Sequence, residues 1–108
     1  MKAADAPQVS VLVLNWNGKA DTLECLESLR RVDYPNFEII VVDNASTDDS
    51  VAAIRQAYPE LVILQNSDNL GYAEGNNVGI RYAKARGSDY VFILNNDTVV
   101  DANVLTPL

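Results

Sequence analysis

The sequence predicts an α/β domain, an open parallel sheet covered by helices on both faces. Four short apolar runs rich in β-branched residues alternate with three stretches of helical periodicity. The runs are apolar throughout instead of alternating, as strands buried on both faces must be. The connections are short, and strand–helix–strand units of that kind cross over right-handed and place their strands in parallel. At 108 residues the chain builds one core, so it reads as a single domain over 1–108.

The elements follow in order. "VSVLVL" (Val9 to Leu14) is the first strand and stops at Asn15. A helix follows with Ala20, Leu23, Leu26 and Leu29 on one face, and it closes in "VDYP", where Pro35 forbids continuation. "FEIIVVD" (Phe37 to Asp43) is the second strand. In "ASTDDSVAAIRQAYP", Ser46 with Asp49 three residues on approximates a capping box, and Val51, Ile54 and Tyr58 form the core face. "LVILQN" is the third strand. A third helix runs from about Ala73 to Ala85, with Gly87 placed to end it. "YVFIL" (Tyr90 to Leu94) is the fourth strand, and "DANVLTPL" starts a further helix. No internal repeat, low-complexity tract or linker interrupts this order.

Composition narrows the function. The chain is 48% hydrophobic and 21% charged, which is globular, and its 15 acids against 8 bases give a net charge of −7. That charge disfavours nucleic acid or an anionic membrane as partner. An anionic ligand would therefore need its charge neutralised by something besides side chains. Histidine is absent, which excludes a His-based triad or a His-ligated zinc. The lone Cys25, among Leu23, Leu26 and Leu29, reads as core filler and fits a reducing compartment. With no membrane-spanning segment and no signal peptide in view, the expected location is cytosolic.

In sheets of this type ligands sit outside the carboxyl ends of the strands. Polar clusters follow each strand: "NWNG", "DNAST", "NSDNLGY" and "NND". All four fall on one sheet edge, and that convergence is the main sign of a site. Each cluster alone has two readings. Asp43 either accepts hydrogen bonds from a nucleotide or caps the following helix. Asn15 and Asn17 either read a base or make an ordinary turn, and no glycine-rich dinucleotide turn is present there. Gly71, Gly75 and Gly79 mark close backbone approach, to a ligand or to another element. Asp97 is either a ligand to a hard cation such as Mg²⁺, shared with substrate phosphates, or a turn acid.

Together "VSVLVLNWNG", "IIVVDNASTDDS", "NLGYAEGNNVGI" and "YVFILNNDTVV" resemble the nucleotide-binding half of family 2 glycosyltransferases, in that family's order and spacing over residues 9 to 100. The variants look most like a rhamnosyltransferase-containing subgroup of cell-surface polysaccharide synthesis. The resemblance implies a three-layer, Rossmann-like GT-A half-domain with strand order 3-2-1-4. It also implies a nucleoside diphosphate-sugar donor, Mg²⁺ or Mn²⁺, and transfer with inversion to a saccharide or lipid-linked acceptor. Asn15, Asn17 and Asp43 would meet the donor's base, and Asn44, Asn69, Gly71, Asn76 and Asn96 would complete the substrate site. The family's DXD signature falls on "NND", where Asn95 replaces the first acid and Asp97 keeps the metal-facing one. The family's frequent "ARN" reads Gly75-Asn76-Asn77, so the usual arginine is absent.

The same resemblance puts the acceptor site and catalytic base beyond the last residues, so the chain is expected to hold the donor half and to turn over poorly. In the longer enzyme it would work at the inner face of the membrane. Strand four then lies at a sheet edge, where it is expected to pair with a second copy or with a further portion of the protein. Two rivals stand beside this reading. A nucleotidyltransferase would show a glycine- and basic-rich loop where "NWNG" stands. A non-catalytic nucleotide-binding or assembly module would keep the fold and lack the chemistry.

Overall fold

A computed structural model describes residues 6–105. Strands β1 (Val9–Asn15), β2 (Phe37–Asp43), β3 (Val62–Gln65) and β4 (Tyr90–Leu94) alternate with helices α1 (Lys19–Leu29), α2 (Ser50–Ala57) and α3 (Gly71–Ala85). The sheet order is β3-β2-β1-β4, and every pairing is parallel. Fold class and strand order are therefore as expected. Asn15 pairs with Asp43, and Asp43 with Gln65, so the strand ends meet along one edge.

The period of two along each strand sorts the core into two layers. Val9, Val11 and Val13 of β1 face α1 and α2, joining Cys25, Leu26, Leu29, Val41, Ile54 and Tyr58. Leu12 of β1 faces the other way with Ile40 and Val42, against Ala83 of α3. Each fully buried Leu or Ile contributes about 1.5–3 kcal/mol relative to exposure. Cys25 is core filler, as its leucine neighbours suggested.

The helices differ from expectation in instructive ways. In α1, Ala20 is exposed and Leu23 only half-buried, while Thr22, Cys25, Leu26, Ser28 and Leu29 are buried. The helix is turned so that two polar residues face inward, because both find partners there. Thr22 Oγ1 donates to Asn15 Oδ1 at 2.6 Å, and Ser28 Oγ donates to the Cys25 carbonyl at 2.7 Å. The Ser46–Asp49 capping box does not form: α2 opens at Ser50, and Asp48 accepts from the Ser50 backbone N–H at 3.0 Å and from its hydroxyl. That hydroxyl contact holds the Asp48 carboxyl below its usual range. Helix α3 starts at Gly71, two residues early, and ends as expected at Gly87, whose φ is +83°. There the Gly87 and Ser88 N–H groups donate to the Lys84 and Ala83 carbonyls, closing a Schellman motif. Of "DANVLTPL", residues 102–105 form a turn that buries Leu105, and residues 106–108 lie outside the described region.

Strand β4 is an edge strand, with Tyr90, Val91 and Ile93 exposed. Among the described residues no helix is long and apolar enough to cross a membrane.

Candidate functional site

The carboxyl ends of the strands carry three linked groups of polar side chains. The first is centred on Asn15, which is fully buried. Its Nδ2 donates to Asp43 Oδ1 at 2.8 Å and to Ser46 Oγ at 3.1 Å. Its Oδ1 accepts from Thr22, and Thr22 Oγ1 in turn accepts from Asn96 Nδ2 at 3.1 Å. Asp43, also buried, further accepts from the Ser46 hydroxyl at 2.6 Å and backbone N–H at 3.0 Å. Asn17, with φ 49°, accepts from the backbone of Thr47 at 2.7 Å and Asp48 at 3.1 Å. Ala45 is left-handed too, at φ 61°, an uncommon state for alanine that turns the Ser46 N–H back onto Asp43. These bonds lock the loops after β1 and β2 to each other.

The second group ties down the start of α3. Asn44 Nδ2 donates to the Gly71 carbonyl at 3.0 Å, and its Oδ1 accepts from Asn66 at 2.8 Å. Asn69 Oδ1 accepts from the Gly71 N–H at 2.9 Å, and Gly71 has φ +83°. Gly75 and Gly79 let α3 press on the sheet: a Cβ on Gly75 would stand 2.8 Å from Leu14 and from Asn44, and one on Gly79 2.5 Å from Leu12. Asn76 is 3% exposed, and neither polar atom of its side chain has a hydrogen-bond partner.

The third group surrounds a cleft of about 310 Å³ lined by Leu14, Trp16, Tyr72, Asn95, Asn96 and Asp97. Trp16 is 54% and Tyr72 58% exposed, so two aromatic rings stand at its rim. The Tyr72 hydroxyl donates to Asn95 Oδ1 at 3.1 Å, linking α3 to the end of β4. Asp97 is exposed. Burial pushes the Cys25 thiol up to about 11, and the Asp97 charge nearby adds to that push.

The "NND" triplet thus lies in the cleft, and Asn15, Asn17 and Asp43 lie in the loop lock beside it. Asn44, Asn69 and Gly71 shape the entry to α3, and Asn76 is sealed one turn below Tyr72. Sequence reasoning missed Trp16 and Tyr72 as cleft residues and Thr22 and Ser46 as links of the lock. Trp16 carried a signal, since the period of two puts it on the face of Leu14. Among the described residues no group of three or more His, Cys, Asp or Glu is placed so that it could hold a metal ion. The cleft offers a cation one carboxylate, with amide oxygens beside it. That donor set suits a hard cation that takes its remaining ligands from substrate phosphates and water.

A four-stranded parallel sheet with helices on both faces and a polar cleft at its carboxyl edge is a Rossmann-like nucleotide-binding arrangement, and its likeness to solved glycosyltransferases makes it the GT-A type. The family model "Glycosyl transferase family 2" matches residues 10–108, and the chain belongs to that family. It is 32% identical over 103 residues to glycosyltransferase GlyG of Streptococcus pneumoniae, covering 93% of this chain and 33% of that protein. Among solved structures it superposes on a Pyrobaculum calidifontis mannosyltransferase, PcManGT, in complex with GDP-Man and Mn²⁺. That match has a TM-score of 0.83 and 28% identity, and covers 96% of this chain and 32% of the other. It also superposes on S. aureus TarS 1-349 in complex with UDP-GlcNAc, with a TM-score of 0.82 and 28% identity, covering 93% and 29% respectively. The chain therefore spans about a third of the length of these relatives.

Proposed function

We propose that this chain is the donor-binding side of a glycosyl transfer, taking a nucleoside diphosphate-sugar together with Mg²⁺ or Mn²⁺. The observation that carries the reading is the cleft at the strand ends, lined by Asp97 together with two exposed aromatic side chains. An aromatic face suits a base or sugar ring. The neighbours solved in complex with GDP-Man and Mn²⁺ and with UDP-GlcNAc support the ligand class. The cation, held by Asp97 and the diphosphate, would supply stabilisation of the departing nucleoside diphosphate. The chain's own part is to fix the leaving group: Trp16 and Tyr72 frame the rings, and the Asn15–Asp43–Ser46 lock keeps the loop bearing Trp16 in place.

The transfer proposed is inverting, to a hydroxyl of a saccharide or lipid-linked acceptor in cell-surface polysaccharide synthesis. Its base is a carboxylate outside residues 1–108, so this chain alone is expected to bind donor without transferring sugar. We place it in the cytosol, at the inner face of the membrane when the acceptor is lipid-linked. The exposed β4 edge is proposed to pair with a second copy or with a further part of a longer protein. Sedimentation that stays monomeric at high concentration counts against pairing with a second copy.

Calorimetry with UDP, dTDP and GDP and their sugars, dTDP-rhamnose included, tests the reading. Binding that strengthens with Mn²⁺ and loses that gain in D97N supports it. Silence toward every nucleotide refutes it and favours a non-catalytic assembly module.

A further inference from the structure

Helix α1 turns a row of polar residues toward the segment that follows β4. Thr22, Cys25 and Ser28 are three apart, so they stand one above another on a single face, and all three are buried. Thr22 Oγ1 accepts from Asn96 Nδ2 at 3.1 Å, and Ser28 Oγ accepts from the Val100 N–H at 3.0 Å. Between them the Cys25 thiol makes a long contact of 3.9 Å to the Asn95 carbonyl. Farther on, the Asp33 N–H donates to the Ala102 carbonyl at 2.8 Å. Residues 95–102 therefore lie along α1 as along a rail. Each hydroxyl spends its proton elsewhere, Thr22 on Asn15 Oδ1 and Ser28 on the Cys25 carbonyl, which leaves the oxygen to accept from this segment.

Asp97 sits between two of these anchors. The Thr98 N–H donates to the Asn95 carbonyl at 3.1 Å, closing a turn with Asn96 and Asp97 at its corners. Asn96 is tucked against the start of α1, where a Cβ on Gly18 would stand 2.5 Å from its Nδ2. Asp97 is exposed and lines the cleft. Among the described residues no group donates a hydrogen bond to its carboxylate, so its position rests on the chain at either side.

We propose that Thr22 and Ser28 are positioning residues for Asp97, holding it through Asn96 on one side and Val100 on the other. The proposal rests on the nucleotide-sugar reading above, in which Asp97 shares a divalent cation with the diphosphate. Such an ion demands well-placed oxygens, so slack in the segment bearing its one protein carboxylate is felt directly at the ion. Two hydroxyls on a packed helix remove that slack. The same requirement accounts for the polar residues that α1 turns inward, a burial its apolar stripe does not need.

The test is calorimetry with UDP, dTDP and GDP over a range of Mn²⁺ concentrations, on the wild-type chain and on T22V, T22S, S28A and I54V. It reads the Mn²⁺ concentration that gives half of the metal-dependent gain in binding, and thermal melts show that each variant is folded. T22V and S28A should raise that midpoint roughly three- to tenfold, the worth of one lost hydrogen bond. T22S keeps the hydroxyl and should restore the wild-type midpoint. I54V thins the same core layer and costs stability without removing a bond to residues 95–102, so its midpoint should stay at the wild-type value. Amide exchange followed by NMR reads the second anchor without any ligand: the Val100 N–H should exchange faster in S28A than in I54V. A midpoint that rises as much in T22S and I54V as in T22V and S28A reports lost stability alone and overturns the proposal. An unshifted midpoint in T22V and S28A overturns it too and leaves the nucleotide reading standing, as does Val100 exchange that S28A leaves unchanged. Silence of the wild type toward every nucleotide at every Mn²⁺ concentration overturns the nucleotide reading itself, and this proposal with it.

Discussion

Replacing Asn15 with alanine removes the centre of the loop lock, and its cost follows from the bonds it makes. The donation to Asp43 at 2.8 Å reaches a charged acceptor and is worth about 1.5–3 kcal/mol. The bond from Thr22 at 2.6 Å joins neutral groups and adds about 0.5–1.5 kcal/mol. The 3.1 Å contact to Ser46 shares the same Nδ2 and is not counted again. Asp43 keeps the Ser46 hydroxyl and N–H, so its carboxylate is not stranded, which holds the total toward the lower end. The expected loss is about 2–3 kcal/mol, large for one residue because the side chain is fully buried. For a domain of this size that lowers the melting temperature by roughly 10–20 °C. Urea denaturation followed by far-UV circular dichroism reads it as a lower midpoint with unchanged slope. A loss below about 0.5 kcal/mol would refute the reasoning, since the lock would then be formed as well by water as by Asn15.

Three further outcomes are expected. D97N should leave stability within about 0.5 kcal/mol, because Asp97 is exposed, yet remove the Mn²⁺-dependent gain in nucleotide binding. In G79A, helix propensity favours alanine by about 1 kcal/mol, but the new Cβ would stand 2.5 Å from Leu12 Cδ2 and 2.9 Å from Val42 Cγ2. Both neighbours are fully buried, so overpacking prevails and urea denaturation should show a net loss of about 1–2 kcal/mol; a stabilised G79A would sink this account of α3 packing. Cys25 has its thiol pushed up to about 11 from 9.0. The unfolded chain therefore ionises first, and the stability present below pH 9.0 declines as pH rises toward about 11. C25A should show a shallower alkaline decline in that window, and parallel declines would contradict the assignment.

The fold was legible because its strands are apolar on both faces, a pattern that few other arrangements explain. The edge holding the site was legible too, since parallel strands bring all their carboxyl ends together. Helix rotation was not. Ala20, Leu23, Leu26 and Leu29 fit one helical stripe, and Thr22, Cys25, Leu26 and Leu29 fit its neighbour. What decides between them is Thr22 meeting Asn15, a contact that periodicity of apolar residues does not register. The start of α2 was misread for a related reason. "STDDS" offers five oxygen-bearing side chains to the turn, and Ser46 is taken by Asn15 and Asp43, which leaves Asp48 to hold Ser50.

These two misreadings bear on function through one division of labour. Polar residues at a sheet edge either hold loops or meet ligands, and the sequence counts both kinds alike. Here Asn15, Asp43, Asn17 and Asn44 are bonded to protein partners, and two of their loops contain left-handed residues that those bonds hold in place. The residues facing the cleft are fewer: two aromatic rings, one exposed carboxylate and an amide held by a phenol. A site so lined has little positive charge of its own to offer a diphosphate. On the proposed reading its affinity would come from a cation the ligand shares with Asp97, from ring contacts, and from whatever N–H groups the amides leave free. Nucleotide binding should therefore respond to changes at positions 16, 72, 95 and 97 at constant stability. Changes at 15, 43 and 44 should move stability first and binding only as the loops loosen.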